Sequence, residues 1–134
     1  MAKRVKVVPK VWGEERWLVN NRLYCGKLMI LKRGWRCSLH MHKVKDETFF
    51  VRTGRMLFEI EGPGGRIRRR VLGPGAVQHV PPGVWHRFSG VTRTEFYEFS
   101  TTHDDADSYR KTESGPVPAR RRGVSGRRRR SSRR

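Results

Sequence analysis

The sequence lacks any long hydrophobic run, and its longest aliphatic stretch, Leu28 to Leu31, has four residues. A membrane-spanning helix needs roughly 20 consecutive apolar residues, so the composition argues against a membrane protein. The basic N-terminus has no apolar segment of the kind found in secretory signals. Two cysteines are too few for a disulfide scaffold. These absences predict a small cytoplasmic protein with no membrane partner.

Acidic residues are scarce, because 12 Asp and Glu stand against 31 Lys and Arg, which gives a formal net charge of +19. Residues 119–134 hold nine of the arginines and no acidic residue. Such a segment cannot bury enough apolar surface to offset its chain entropy, so we expect a disordered Arg-rich tail over 114–134. An arginine run attracts polyanions, so nonspecific nucleic-acid binding is one interpretation of the tail, and a solvated appendage is the other.

A sustained helical pattern is also missing, since no segment keeps apolar residues at i, i+3, i+4 and i+7 for three turns. The first 113 residues instead contain short segments rich in β-branched and aromatic residues, separated by turns with Gly or Pro. The predicted strands are Arg4–Val8, Lys27–Lys32, Trp35–His42, Glu47–Thr53, Met56–Ile60, Ile67–Leu72, Ala76–Val80, Val84–Phe88 and Thr94–Thr101. Short strands without helices predict one all-β barrel or sandwich domain over residues 1–113.

Alternation along the predicted strand Trp35–His42 divides its side chains between two faces. One face, which we expect to line a cavity, carries Arg36, Ser38, His40 and His42. The opposite face is apolar and must pack against another layer, since it carries Trp35, Cys37, Leu39 and Met41. We expect a homodimer to bury this apolar face, although an N-terminal strand of the same chain could cover it instead.

Two histidines, His40 and His42, are two residues apart and place their imidazoles on the same strand face. Glu47 follows where the next strand returns alongside, and His86 follows a rigid Pro-Pro-Gly turn. Imidazole and carboxylate ligands suit one divalent transition metal (Mn, Fe, Co, Ni or Zn) and leave positions open for substrate. Cys37, expected on the opposite face, is not counted as a ligand.

Glycines complete two spacing patterns around these candidate ligands. The first is Gly-x5-His-x-His-x4-Glu-x6-Gly over 34–54, and the second is Gly-x5-Pro-x-Gly-x2-His over 75–86. Together they resemble the paired motifs of the cupin superfamily. The resemblance implies a double-stranded β-helix (jelly-roll) barrel that binds one divalent metal through His40, His42, Glu47 and His86. The family usually has Asn where Gly90 stands, but that position is not a ligand.

The segments around these motifs resemble a narrower group of small cupins. The stretches YCGKL, SLHMHKVKDETFFV and PPGVWHRFSG are similar to those of sugar isomerases, namely the C-terminal domain of type II mannose-6-phosphate isomerase and the cupin lyxose isomerases. This resemblance implies a metal-dependent aldose–ketose isomerase acting on a sugar or sugar phosphate. Two alternatives stay open: a non-haem iron dioxygenase, and a non-catalytic small-molecule-binding or regulatory cupin that its tail tethers to nucleic acid.

An isomerase of this kind needs a base outside the ligand set, because a ligating carboxylate has little basicity to spare. Glu98 is our preferred base, and Tyr97 or Glu95 takes its place if the strand register differs by one residue. The polar run His103-Asp104-Asp105 follows the last predicted strand, so we interpret it as a polar exit from the fold rather than as a ligand set.

A phosphorylated substrate would also need a cation in the cavity. Arg36 is the preferred anion anchor because it shares the predicted face of the paired histidines. Lys45 and Arg87 are the other candidates, since each flanks a predicted metal ligand in the sequence.

Overall fold

The computed structural model describes residues 2–119, and the strands in this range are numbered in chain order. They are β1 (Lys6–Lys10), β2 (Gly13–Asn20), β3 (Cys25–Leu31), β4 (Trp35–Arg36), β5 (His40–Met41), β6 (Glu47–Thr53), β7 (Met56–Glu61), β8 (Ile67–Leu72), β9 (Val77–Val80), β10 (His86–Gly90), β11 (Thr94–Ser100), β12 (Tyr109–Arg110) and β13 (Gly115–Pro116). Two short 3-10 helices span Pro63–Gly65 and Asp105–Asp107. The all-β prediction is confirmed. Within residues 2–119, no helix has the length and apolar character to traverse a bilayer.

The strands form two antiparallel sheets in a jelly-roll arrangement. The first sheet has the order β1-β2-β3-β11-β6-β9. In the second sheet β10 is central, with β7 and then β8 on one side and the short pairs β5–β12 and β4–β13 on the other. Neighbouring strands such as β3 and β11 are far apart in the sequence, so residues distant along the chain meet in the barrel interior.

Alternating side chains from both sheets fill the barrel interior. Phe49 is central to the core, and its ring centroid lies 5.7, 6.2 and 5.6 Å from those of Phe58, Phe88 and Phe96, respectively. Burying each of these rings stabilises the fold by about 1.5–3 kcal/mol. The core stops short of one end of the barrel, where the buried side chains become polar: Lys27, His42, Lys45, Glu47, His86 and Glu98.

The predicted strand Trp35–His42 is split into β4 and β5, and the split reverses its alternation. Arg36 pairs with Ser89, and His40 pairs with His86. Three residues lie between Arg36 and His40, whereas only two lie between their partners Ser89 and His86 on β10. The extra residue acts as a bulge, so side chains of the same parity before and after it point to opposite faces.

This reversal corrects two expectations about the strand faces. Cys37 is 4% exposed, belongs to the hydrophobic core, and receives a hydrogen bond to its Sγ atom from the Phe88 N–H. It therefore lies in the interior and not on an outer apolar face. The predicted four-residue apolar face does not exist as a unit, and the homodimer stays a prediction.

The chain beyond residue 113 belongs to the barrel as far as it is described. Gly115 pairs with Arg36, and the Val117 N–H donates to the Gly34 carbonyl at 2.8 Å. The domain boundary predicted after residue 113 is corrected accordingly, because strand pairing uses backbone groups that leave little trace in side-chain composition. The rest of the predicted disordered tail, 120–134, lies outside the described residues, and its binding to nucleic acid stays a prediction.

Candidate metal centre

Three histidines from two neighbouring strands converge at the polar end of the barrel. His40 on β5 lies directly opposite His86 on β10, and His42 follows β5 by one residue. One ring nitrogen from each lies within 4.8 Å of those of the other two. His42 and His86 are buried, with 6% and 0% exposure. Such a cluster can hold one metal ion.

Backbone carbonyl groups determine which ring nitrogen of each histidine faces the cluster. The three Nδ1 atoms lie 2.7–2.9 Å from the carbonyl oxygens of Ser38, Asp107 and Val84. A carbonyl oxygen can only accept, so each Nδ1 carries the ring proton. Each neutral ring therefore presents a lone pair on Nε2, which is the arrangement that a metal-ligating histidine requires.

The predicted carboxylate ligand, Glu47 at the start of β6, contacts this cluster through one oxygen. Its Oε2 lies 2.9 Å from Nε2 of His86 and 3.5 Å from Nε2 of His42. Within residues 2–119, Oε2 of Glu47 and Nε2 of His86 are buried and make no hydrogen bond. Two buried lone-pair atoms this close repel each other unless a cation lies between them. These residues therefore fit a bound divalent cation.

The protonation states of the cluster also suit a metal. Burial lowers the pKa of His40 to about 3 and lowers the pKa of His42 below its ordinary value. Burial alone would raise the pKa of Glu47, but the Lys45 ammonium beside it opposes that effect, and the pKa lies below its ordinary value. At neutral pH His40 and His42 offer neutral imidazole nitrogens and Glu47 offers an ionised carboxylate, a donor set typical of divalent transition metals.

Asp107 positions the loop between the candidate ligands His42 and Glu47. Its carboxylate accepts hydrogen bonds of 2.9–3.2 Å from the backbone N–H groups of Lys43, Val44 and Lys45. Its backbone carbonyl holds the ring of His42. Sequence reasoning missed this residue, because it lies more than 60 positions from the loop that it holds and no local pattern links the two.

The cluster opens into a cavity of about 280 Å³. Its apolar wall consists of Trp12, Met29, Cys37, Phe49 and Phe88. The remaining lining residues are polar or charged: Lys10, Glu15, Lys27, Ser38, His40, His42, Lys45, Glu47, Glu98, His103, Asp105, Ser108, Arg110 and Ser114. A cavity with this lining suits a small polar ligand rather than an apolar one.

The Lys45 ammonium lies between Glu47 of the candidate metal site and the predicted base, Glu98. Its buried Nζ lies 3.4 Å from Oε1 of Glu47 and 2.9 Å from Oε2 of Glu98. Burial opposes its charge, but Glu98 and Glu47 outweigh the burial and raise the pKa of Lys45. Nζ also donates to Nδ1 of His103, whose Nε2 contacts Asp105 at 2.7 Å. Lys45 is therefore a paired ammonium within the cavity. Two residues of the predicted polar exit, His103 and Asp105, line this cavity as well.

A second buried ion pair lies in the same cavity and was not predicted. Nζ of Lys27 on β3 lies 3.1 Å from Oε1 of Glu15 on β2. The indole N–H of Trp17 donates to the same oxygen at 2.8 Å. Burial alone would raise the pKa of Glu15, but Lys27 and Lys10 outweigh it and lower that pKa. No local pattern points to this pair, because strand β2 itself was not predicted.

Two predicted anion anchors lie elsewhere in the fold. The cavity lining, within the part of the chain that the structure describes, includes neither Arg36 nor Arg87. Arg87 follows His86 on β10 and so points to the outer face, where its Nε donates to Glu59 at 2.9 Å. Arg36 is opposite Ser89 and lies on that outer face too. The bulge between Arg36 and His40 makes their side chains point to opposite faces of the sheet.

The alternation of β11 settles which of the three candidate bases faces the cavity. Glu98 is 3% exposed and lines the cavity. Tyr97 lies on the outer face, opposite Leu28 and Phe50, and its ring stacks on Phe99 with centroids 5.9 Å apart. Tyr97 is therefore not placed to touch a ligand in the cavity, which corrects its assignment as an alternative base. Glu95, two residues before Tyr97 on the same strand, also faces outward.

The family model of the cupin domain matches residues 27–98, more than half of the chain, and these residues include all four candidate ligands. The chain belongs to the cupin family. The predicted resemblance and the jelly-roll barrel are thus confirmed. A search of curated proteins gives no match for this cupin.

Solved structures resemble this cupin in fold. Oxalate decarboxylase from Bacillus subtilis superposes with a TM-score of 0.72 at 20% identity, covering 80% of this chain and 30% of the other. The capsular polysaccharide assembling protein CapF from Staphylococcus aureus superposes with a TM-score of 0.70 at 18% identity, covering 81% and 34%. The cupin spans about a third of the length of these proteins, and identities this low show a shared fold alone.

Proposed function

We propose that this cupin is a metal-dependent isomerase that interconverts the aldose and ketose forms of a small sugar or sugar phosphate. The observation that carries the proposal is the presence of a carboxylate outside the ligand set, Glu98, in the same cavity as the histidine cluster. His40, His42, Glu47 and His86 would hold the metal. When bound, the metal polarises the carbonyl group and the neighbouring hydroxyl group of the substrate.

Glu98 is the group that moves the substrate proton. Within residues 2–119, the hydrogen bonds that its carboxylate accepts, from Lys45 and Ser100, both go to Oε2. The other oxygen, Oε1, is therefore available to take a proton from one substrate carbon and return it to the next. The Lys45 ammonium, 2.9 Å from Oε2, fixes the position of this carboxylate. The charged lining favours a polyol over the apolar substrate expected for the dioxygenase alternative.

Exchange of substrate hydrogen with solvent deuterium tests this proposal directly. The metal-loaded protein is incubated in deuterated buffer with aldoses and ketoses, each with and without a 6-phosphate, and exchange is followed by NMR at C2 of the aldoses and at C1 of the ketoses. We expect exchange with at least one sugar. Glu98→Gln should slow this exchange by about 10²–10⁴-fold, since that is the usual contribution of a general base.

Glu95→Gln is the matched control, because Glu95 lies on the same strand but faces outward and pairs with Arg52 and Arg93. It should exchange at the wild-type rate. Absence of exchange with every sugar would reject the isomerase, and metal-dependent O₂ uptake in the same samples would favour the dioxygenase. Equal rates in the two glutamine variants would remove Glu98 from the mechanism.

A further inference from the structure

One row of directly opposed residues crosses three strands of the second sheet. Arg110 on β12 pairs with His40 on β5, and His40 pairs in turn with His86 on β10. Directly opposed residues of antiparallel strands project from the same face of the sheet. Two members of this row belong to the histidine cluster, so the Arg110 side chain begins beside that cluster and lines the same cavity.

Arg110 differs from the buried cations of the cavity in having no acidic partner. Lys27 and Lys45 lie 3.1 and 2.9 Å from the carboxylates of Glu15 and Glu98, respectively. Within residues 2–119, Arg110 makes no ion pair, and its side chain is exposed to solvent. Its guanidinium group is therefore available to a ligand that enters the cavity.

The charges around the cavity favour a negatively charged ligand. The formal charges of the lining cancel, since four cationic residues oppose four carboxylates: Lys10, Lys27, Lys45 and Arg110 against Glu15, Glu47, Glu98 and Asp105. A divalent ion on the histidine cluster would make the cavity positive, and that charge attracts an anion.

We propose that Arg110 binds the anionic group, a phosphate or a carboxylate, of the molecule that occupies the cavity. The planar guanidinium forms two parallel hydrogen bonds with either group, which fixes the orientation of the ligand as well as its charge. The proposal rests on the proposed function in taking the cavity to be a small-molecule site. It assigns to Arg110 the role that the sequence suggested for Arg36.

Calorimetric titration of the full-length, metal-loaded protein with inorganic phosphate and with glycolate tests this assignment. Arg110→Gln should weaken binding of at least one of the two anions by about tenfold or more, the usual effect of removing a charge-assisted hydrogen bond. Arg110→Lys should lose less, because it keeps the charge but not the paired geometry. Arg68→Gln is the control, since Arg68 is also an exposed strand arginine but does not line the cavity.

The two anions distinguish the sources of the group: loss for phosphate alone assigns a phosphorylated ligand, and loss for glycolate alone assigns a hydroxy acid. Equal affinities in the wild type, Arg110→Gln and Arg110→Lys would overturn the proposal, as would equal losses in Arg110→Gln and Arg68→Gln. A separate outcome would reject the isomerase proposal. Anion binding that depends on Arg110, without exchange of hydrogen in any sugar, would reject the isomerase and keep the anion site.

Discussion

The Nε2 atom of His86 and the Oε2 atom of Glu47 lie 2.9 Å apart in the barrel interior. The Val84 carbonyl fixes the His86 proton on Nδ1, and the lowered pKa of Glu47 keeps its carboxylate ionised. In the neutral ring neither facing atom has a proton to share, and a bound cation would satisfy both. This contact fits a divalent cation bound at the polar end of the barrel.

Metal content should depend on the candidate ligands at the polar end of the barrel. We expect about one divalent ion per chain in protein purified without chelator, and loss of that ion in His40→Ala and in His86→Ala. His79→Ala should keep its metal, because His79 is exposed on β9 and contacts Asp46 outside the cavity. Elemental analysis of the four proteins checks this. Full metal content in both cluster variants would refute the assignment of the site.

The buried pair of Lys27 and Glu15 should matter for stability. Glu15→Gln leaves the Lys27 ammonium, which is 1% exposed, without its carboxylate. We expect a loss of about 3–5 kcal/mol in the free energy of unfolding, measured by chemical denaturation. Glu14→Gln is the control, since Glu14 pairs with Arg16 near the surface and should cost less than about 1 kcal/mol. Similar losses in the two variants would contradict the structural role of the buried pair.

Two glycines of the first cupin motif should differ in their tolerance of a side chain. Both have positive φ, +79° at Gly34 and +82° at Gly54. An added Cβ at Gly54 would lie 2.1 Å from the Arg93 carbonyl oxygen, whereas at Gly34 it would meet nothing within 4 Å. Gly34→Ala should therefore cost only the backbone strain of about 1–2 kcal/mol, and Gly54→Ala clearly more. Thermal unfolding of both variants measures the difference, and an equal cost would show that the close contact relaxes freely.

The Cys37 thiol should stay protonated and unreactive in the folded protein. Burial raises its pKa to about 12, above the ordinary value of 9.0. Iodoacetamide should therefore label Cys37 only after unfolding, with no increase in native-state labelling between about pH 7 and 9, as mass spectrometry can show. Because the unfolded thiol loses its proton at lower pH than the native thiol, the stabilising contribution of this site is lost as pH rises above 9. Rapid native labelling would show that the thiol reaches solvent.

The local sequence determined the strands, the turns and the candidate ligands of this cupin. Glu47–Thr53 and Ile67–Leu72 were predicted with the observed bounds, because their β-branched and aromatic residues and the glycines that follow them are local signals. The glycine-framed spacings pointed to the histidines that the structure brings together, since a two-residue separation keeps His40 and His42 near each other at the end of one strand. Strand β2 escaped prediction because three consecutive charged residues, Glu14, Glu15 and Arg16, stand near its start.

Only the tertiary structure decided which side chains share the cavity. One extra residue opposite β10 turned Arg36 outward and Cys37 inward, and such a register shift depends on the partner strand rather than on the strand's own sequence. Arg110, Asp107 and the pair of Lys27 with Glu15 reach the site through strand pairing and contacts between segments far apart in the chain. The physical reason is that the alternation of side chains along a strand depends on its own sequence. Which strands pair, and in which register, depends instead on how side chains from the whole barrel are buried together.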